Sequence, residues 1–189
     1  MKKKKVSWLL IIGAVLILGS VCMLAAFRIQ ASMGVRESRA AAEKILALLP
    51  ERTPGQIQPN VPMPALEIDG KDYIALLEIP TMGVCLPVAA QQEDYLPGRF
   101  WGSVYSSPFV IGGRDHPGLF DFCSKIEYGT PLTVTDMTGT QFTYTVARVD
   151  RAEKAENQWL LNENFDLTLY CRGTFSSEYI AVRCNLTWK

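Results

Sequence analysis

Histidine is nearly absent from this chain: His116 is the single one among 189 residues. Cysteine is sparse as well, five in all. No C-x-x-C or H-x-x-x-H pattern occurs, so zinc-site spacing is missing. No metal or cofactor is implied. Acidic residues are missing from the first 27 positions, where Lys2, Lys3, Lys4 and Lys5 are the only charges. Setting those four lysines aside leaves 15 of the 19 basic residues against all 19 acidic ones, a net of −4. That balance provides no basic patch and argues against a nucleic-acid partner. Beyond Pro50 no long helical period returns.

What the chain has instead is one long apolar run. Val6 to Phe27 is uncharged and mainly apolar. As a helix its 22 residues reach roughly 33 Å, enough for a hydrocarbon core of about 30 Å. The lysine cluster before it predicts a cytoplasmic tail at 1–5, a single transmembrane anchor at 6–27 and an extracytoplasmic remainder. A cleaved secretory signal is the rival reading, but the run is long for one and no small-x-small cleavage site follows it. Cys22 is a poor lipidation site because Val21 before it is bulky. Outside the cell disulfides are permitted, and Cys85, Cys123, Cys171 and Cys184 allow three connectivities. Small buried hydrophobes are the plainer role for those within apolar runs.

Residues 28–50 read as a juxtamembrane helix. Ser32 is its candidate N-cap, and Ala40, Ala41, Ile45, Leu48 and Leu49 form its apolar stripe. It either packs on the domain or stands as a stalk. Residues 51–66, with Pro54, Pro59, Pro62 and Pro64, read as an extended linker holding the domain off the membrane. From 67 to 189 the pattern is β-rich. Strands are expected at 73–79, 83–88, 108–111, 131–135, 141–149, 167–170 and 179–186. Phe120 to Ile126 reads as a short helical piece, and Met137-Thr138-Gly139 as a hairpin loop. Short strands at this spacing predict an all-β domain, a closed or nearly closed barrel with short helices.

Six segments give this pattern a more specific likeness. YIALLEIPTMGVCLPV (73–88), PGRFWGS (97–103) and FVIGG (109–113) come first. Phe120, Cys123, Ile126 and Gly129 follow, then TVTDMTGTQFTYTV (133–146) and DLTLYCRGTFSSEYIAVRC (166–184). In this order they resemble the sortases. The resemblance implies a membrane-anchored barrel of the kind that cuts a sorting signal on a secreted protein and joins it to a cell-wall or pilus amine, at a Gram-positive surface. The implied chemistry is thiol acyl transfer by Cys, His and Arg.

Carried over residue by residue, all three catalytic positions differ. The family's His, which follows the Gly of the VI-x-G strand, falls on Arg114. With both ends of 166–184 held in register, the nucleophile falls on Arg172. The Arg that opens the last strand falls on Tyr179, or on Glu178 in a neighbouring register. Cys171 stands one residue early. Strand alternation groups it with Leu167 and Leu169, and a Cys aimed into apolar surroundings is a poor nucleophile.

Two readings stay open. A degenerate sortase would bind a peptide or surface partner in the old groove, with Arg114, Arg172 and Tyr179 as its contacts. An active, divergent sortase would use Cys171 as nucleophile and His116 as base, with Arg172 or Arg183 as the cation. A bulge at Cys171 would permit the second. Against it, His116 precedes Pro117-Gly118 and suits a solvated turn.

Overall fold

The computed structural model describes residues 8–56, 61–92, 96–173 and 178–187. The basic tail at 1–5 and Pro59 lie outside the described residues.

The described residues begin with one unbroken helix, α1 (Trp8–Leu48). The anchor and the juxtamembrane helix expected as two elements are continuous, because no proline interrupts the helix before Pro50. Ser32 is therefore not an N-cap. It sits mid-helix, and its hydroxyl donates back to the Ile29 carbonyl at 2.8 Å. At 41 residues α1 is roughly 60 Å long. Its first half exposes Val15, Leu16, Ile17, Leu18, Met23 and Leu24 and is apolar and long enough to cross a membrane.

The second half of α1 docks on the barrel. Ala41, Ala42 and Ile45 are buried against Ile68, Tyr73, Leu76 and Ala89. Ala40 and Leu48, expected in the apolar stripe, are exposed. The docked face is instead Ser38, Ala41, Ala42, Ile45 and Leu49, whose spacing of three to four keeps it on one side of the helix. Ion pairs flank the seam, Lys44 to Asp69 at 2.6 Å and Lys71 to Glu37 at 2.8 Å.

Ten strands follow: β1 (Thr53–Pro54), β2 (Leu66–Ile68), β3 (Lys71–Ile79), β4 (Val84–Ala89), β5 (Gly98–Ser103), β6 (Ser106–Asp115), β7 (Pro131–Asp136), β8 (Thr140–Ala152), β9 (Leu167–Gly173) and β10 (Tyr179–Leu186). The sheet runs β8-β10-β9-β6-β5-β4-β3, and β7 pairs with both β3 and β8, closing an eight-stranded barrel. β2 adds to β3 as an outlying strand. The linker takes part too: β1 pairs in parallel with Thr140 and Gln141, and the Gly55 amide donates to the Gln141 carbonyl at 2.8 Å.

The expected hairpin at 137–139 joins β7 to β8, with Gly139 at φ +83°. Asp136 fixes it by accepting from the Thr138 and Thr140 amides at 2.8 and 2.9 Å. The piece expected at 120–126 is a 3-10 turn over Asp121–Ser124. It contacts the inner side of β6, β9 and β10 and buries Phe122 and Cys123. A further short helix, α2 (Asn157–Leu160), lies between β8 and β9.

Candidate functional site: the outer face of strands β6, β9 and β10

Parallel pairing of β6 with β9, and antiparallel pairing of β9 with β10, lines up three rungs on the outer face. They are Val110–Thr168–Arg183, Gly112–Tyr170–Ala181 and Arg114–Arg172–Tyr179. The alternate residues form inner rungs, among them Ile111–Leu169–Val182 and Gly113–Cys171–Ile180. Most of these inner residues belong to the main core.

The first outer rung is sealed. Arg183 is fully buried. Its Nη1 donates to the Leu160 carbonyl at 3.1 Å and to Thr168 Oγ1 at 3.0 Å, and its Nη2 donates to the Trp159 carbonyl. Those two carbonyls end α2, so the guanidinium caps a helix whose last acceptors would otherwise lack partners. Nε pairs with Asp150 at 3.2 Å, and the Trp159 ring lies 5.0 Å from the guanidinium. Burial lowers the pKa of Arg183, and Asp150 opposes that shift. Arg183, weighed above as a catalytic cation, is committed to holding α2 over the sheet.

The second rung is filled from within. Tyr170 is buried, and its hydroxyl donates to Gln92 Oε1 at 2.8 Å. The Phe100 ring meets it edge-on at 5.5 Å. Gly112 makes this possible: a Cβ there would lie 2.7 Å from the Tyr170 ring and from Gln92 Nε2. The segment FVIGG shows two glycines together but not the tyrosine that lies over one of them. A small residue beside an aromatic on the neighbouring strand is the signal that sequence reading missed.

The third rung is open. Arg172 is exposed and Arg114 half-buried, and their α-carbons face each other across the parallel ladder, about 4.8 Å apart. The Arg172 guanidinium lies 5.6 Å from the centre of the Tyr179 ring. Two acids flank the rung, Asp115 beside Arg114 and Glu178 beside Tyr179. Glu178 pairs with Arg151 at 2.9 Å. The structure thus brings Arg114, Arg172 and Tyr179 together on adjacent strands.

Cys171 and His116 sit elsewhere. Cys171 is fully buried and belongs to the core with Leu167 and Leu169. β9 pairs with β6 and β10 without a register shift at this residue. His116 follows the end of β6 in a turn whose carbonyl accepts the Leu119 amide at 2.9 Å. Its Nδ1 lies 3.0 Å from the Pro117 carbonyl oxygen. Among the described residues no cluster of three or more His, Cys, Asp or Glu could hold a metal ion.

No protein-family model matches this chain, and no curated protein does. Solved structures do. A lid mutant of sortase A from Corynebacterium diphtheriae is 23% identical, with a TM-score of 0.52 over 63% of this chain and 72% of that one. Sortase C from Clostridium perfringens aligns at 17% identity and a TM-score of 0.54, over 62% and 71%. A sortase D5 transpeptidase from Clostridium perfringens is also 17% identical, with a TM-score of 0.53 over 84% of this chain and 94% of its own. At such identities the likeness is one of fold, and the barrel of this chain has the sortase fold.

Proposed function

We propose that this chain is a single-pass membrane protein with a cytoplasmic N-terminus and an extracytoplasmic sortase-fold domain. On this reading the domain holds a peptide or a cell-surface partner at Arg114, Arg172 and Tyr179 and does not cut it. The observation that carries the reading is the third rung. The α-carbons of Arg114 and Arg172 face each other across the β6–β9 ladder, which sets two guanidinium-bearing side chains on one rung where an anionic group of a partner can meet them. Each guanidinium offers a planar fork of donors suited to a carboxylate. A thiol attack needs hydrogen-bond reach between nucleophile and base, and the Cys171 side chain is in the core, on the far side of the sheet from the open rung. The anchor is supported by the exposed apolar half of α1, and its orientation by Lys2 to Lys5.

The test combines cleavage with capture. The full chain in detergent is incubated with a fluorescence-quenched sorting-signal peptide, and no cleavage is expected. In cells, a photo-crosslinking amino acid replacing Tyr179 is expected to capture a surface protein, and Arg114→Gln with Arg172→Gln to abolish capture. Cleavage that disappears in Cys171→Ala would overturn the binding role and establish the Cys171–His116 enzyme instead. Membrane-impermeant lysine labelling of intact cells checks the orientation separately.

A further inference from the structure

We propose that residues 28–36 of α1 carry a strip that seats on anionic phospholipid headgroups, so that the helix lies between the bilayer and the barrel. The helix does not stop where its apolar run stops. It continues past position 27 without a break to Leu48. At 3.6 residues per turn, Arg28, Ile29, Ser32, Met33 and Arg36 fall within an arc of about 140°. All five are exposed, and Ile29 and Met33 keep 59% and 61% of their surface open. The opposite side of the helix is the docked one. Val35 packs on the main core, and Ser38, Ala41, Ala42 and Ile45 are buried. A Cβ on Gly118 would stand 3.1 Å from Val35 Cγ1. The barrel thus covers one face from Val35 onward and leaves the other bare.

Charge separates the two faces further. Glu37 pairs with Lys71 and Lys44 with Asp69, both across the seam with the barrel. Arg28 and Arg36 pair with no acid among the described residues, and no acid lies between them in the sequence. Arg39 stands at the edge of the strip, its Nη2 3.9 Å from the same Gly118 Cβ position.

Height along the helix decides what this face meets. Arg28 follows the apolar run at once, and Arg36 lies roughly 13 Å beyond the end of that run. The headgroup layer is about 5–8 Å deep on each side of the hydrocarbon. Helical side chains tilt toward the N-terminus, here toward the bilayer. A helix leaning toward its bare face therefore brings both guanidiniums into the phosphate layer and lays Ile29 and Met33 at the acyl boundary. The guanidinium fork suits a phosphodiester, and the two apolar side chains suit a lipid surface better than a free anion in water. The span itself tethers the bilayer to this strip, which gives the headgroups an effective concentration that a free partner lacks. The inference rests on α1 spanning the bilayer. It does not rest on a partner at Arg114, Arg172 and Tyr179.

The experiment uses the full chain reconstituted in vesicles of phosphatidylcholine, alone or mixed with phosphatidylglycerol. A fluorescent amino acid replaces Ser32, and the same fraction of lipid in both preparations carries a headgroup quencher. Quenching should be about threefold stronger in the anionic vesicles, and most of the difference should vanish at high salt. Arg28→Gln with Arg36→Gln should remove the difference, and Arg28→Lys with Arg36→Lys should keep most of it. Because the barrel sits on the other face, the glutamine pair should leave the thermal midpoint unchanged. Equal quenching in both vesicles, or a difference that survives the glutamine pair, would overturn the inference. Inorganic phosphate that abolishes the difference at matched ionic strength would also overturn it, by assigning the arginines to a free anion. A dimer in detergent that the glutamine pair dissociates would do the same, by assigning the strip to a second copy. Flotation of the same vesicles keeps the anchor separate. A chain that floats with neither preparation overturns the single-pass reading, whereas one that floats with both and quenches equally overturns the strip alone.

Discussion

Arg183 and Arg172 project from the same face of neighbouring strands, two rungs apart, and their surroundings are opposite. Arg183 is fully buried and serves the carbonyls of Trp159 and Leu160, Thr168 Oγ1 and Asp150. Arg172 is exposed, with its guanidinium near the Tyr179 ring. A guanidinium that has all its acceptors within the fold is a structural element, whereas one with acceptors still to find can recognise a partner. The outer face is therefore divided: two rungs are filled from within the fold, and on the proposed reading the third receives the partner.

The sharpest way to break this division is Arg183→Met. It leaves the Trp159 and Leu160 carbonyls without their donor, at about 1–3 kcal/mol for each buried unsatisfied group, while Asp150 keeps Arg148 at 2.7 Å. Thermal unfolding should fall by at least about 10 °C. An unchanged midpoint would mean that the first rung is not structural.

Next in size is Gly112→Val, which drives new methyl groups into the Tyr170 ring. Overpacking of this kind costs about 1–3 kcal/mol, read as a lower urea midpoint. Tyr170→Ala removes the obstacle, so the double variant should recover part of the loss. Purely additive effects would show that Tyr170 does not fill the second rung.

A third, smaller effect comes from alkaline pH. Burial raises the pKa values of Cys184 and Tyr144 above their ordinary ranges. Their native forms therefore stay neutral at pH values where the unfolded chain has ionised. A raised folded-state pKa contributes stability that is complete below the unfolded value and declines above it. Stability should hold to about pH 8.5 and then fall, by up to about 1.4 kcal/mol per pH unit for each group. Cys184→Ala should make the decline in a urea-midpoint series shallower, and an identical slope would count against thiol burial.

Much of this was legible in the sequence because strand alternation has a period of two. DLTLYC assigns Leu167, Leu169 and Cys171 to one face before any coordinates are known. A helix apolar and long enough to cross a membrane was legible from length and composition, and the barrel from its turn spacing. The sequence reading missed what depends on contacts between distant segments. Gln92 meets Tyr170 across 78 residues, and no local pattern announces such a pair. The continuity of α1 was missed for another reason. Ser32 looked like a cap, but a serine hydroxyl can also bond back to a carbonyl of the preceding turn and stay within a helix.

The smallest stability effect belongs to the open rung, and it carries the most weight for function. Arg172→Gln removes an exposed charge that no buried group depends on, so unfolding should change by less than about 0.5 kcal/mol. Partner capture through position 179 should nevertheless fall, and more steeply at low salt, where surface charges interact over longer distances. Arg183→Lys gives the matching control. It keeps the charge but loses the fork that serves several acceptors at once, so stability should drop while capture per folded molecule stays the same. If Arg172→Gln instead destabilised the domain as strongly as the Arg183 substitution, the third rung would be as structural as the first. Arg172 would then be part of the barrel's framework, and the partner site would have to lie elsewhere on the molecule.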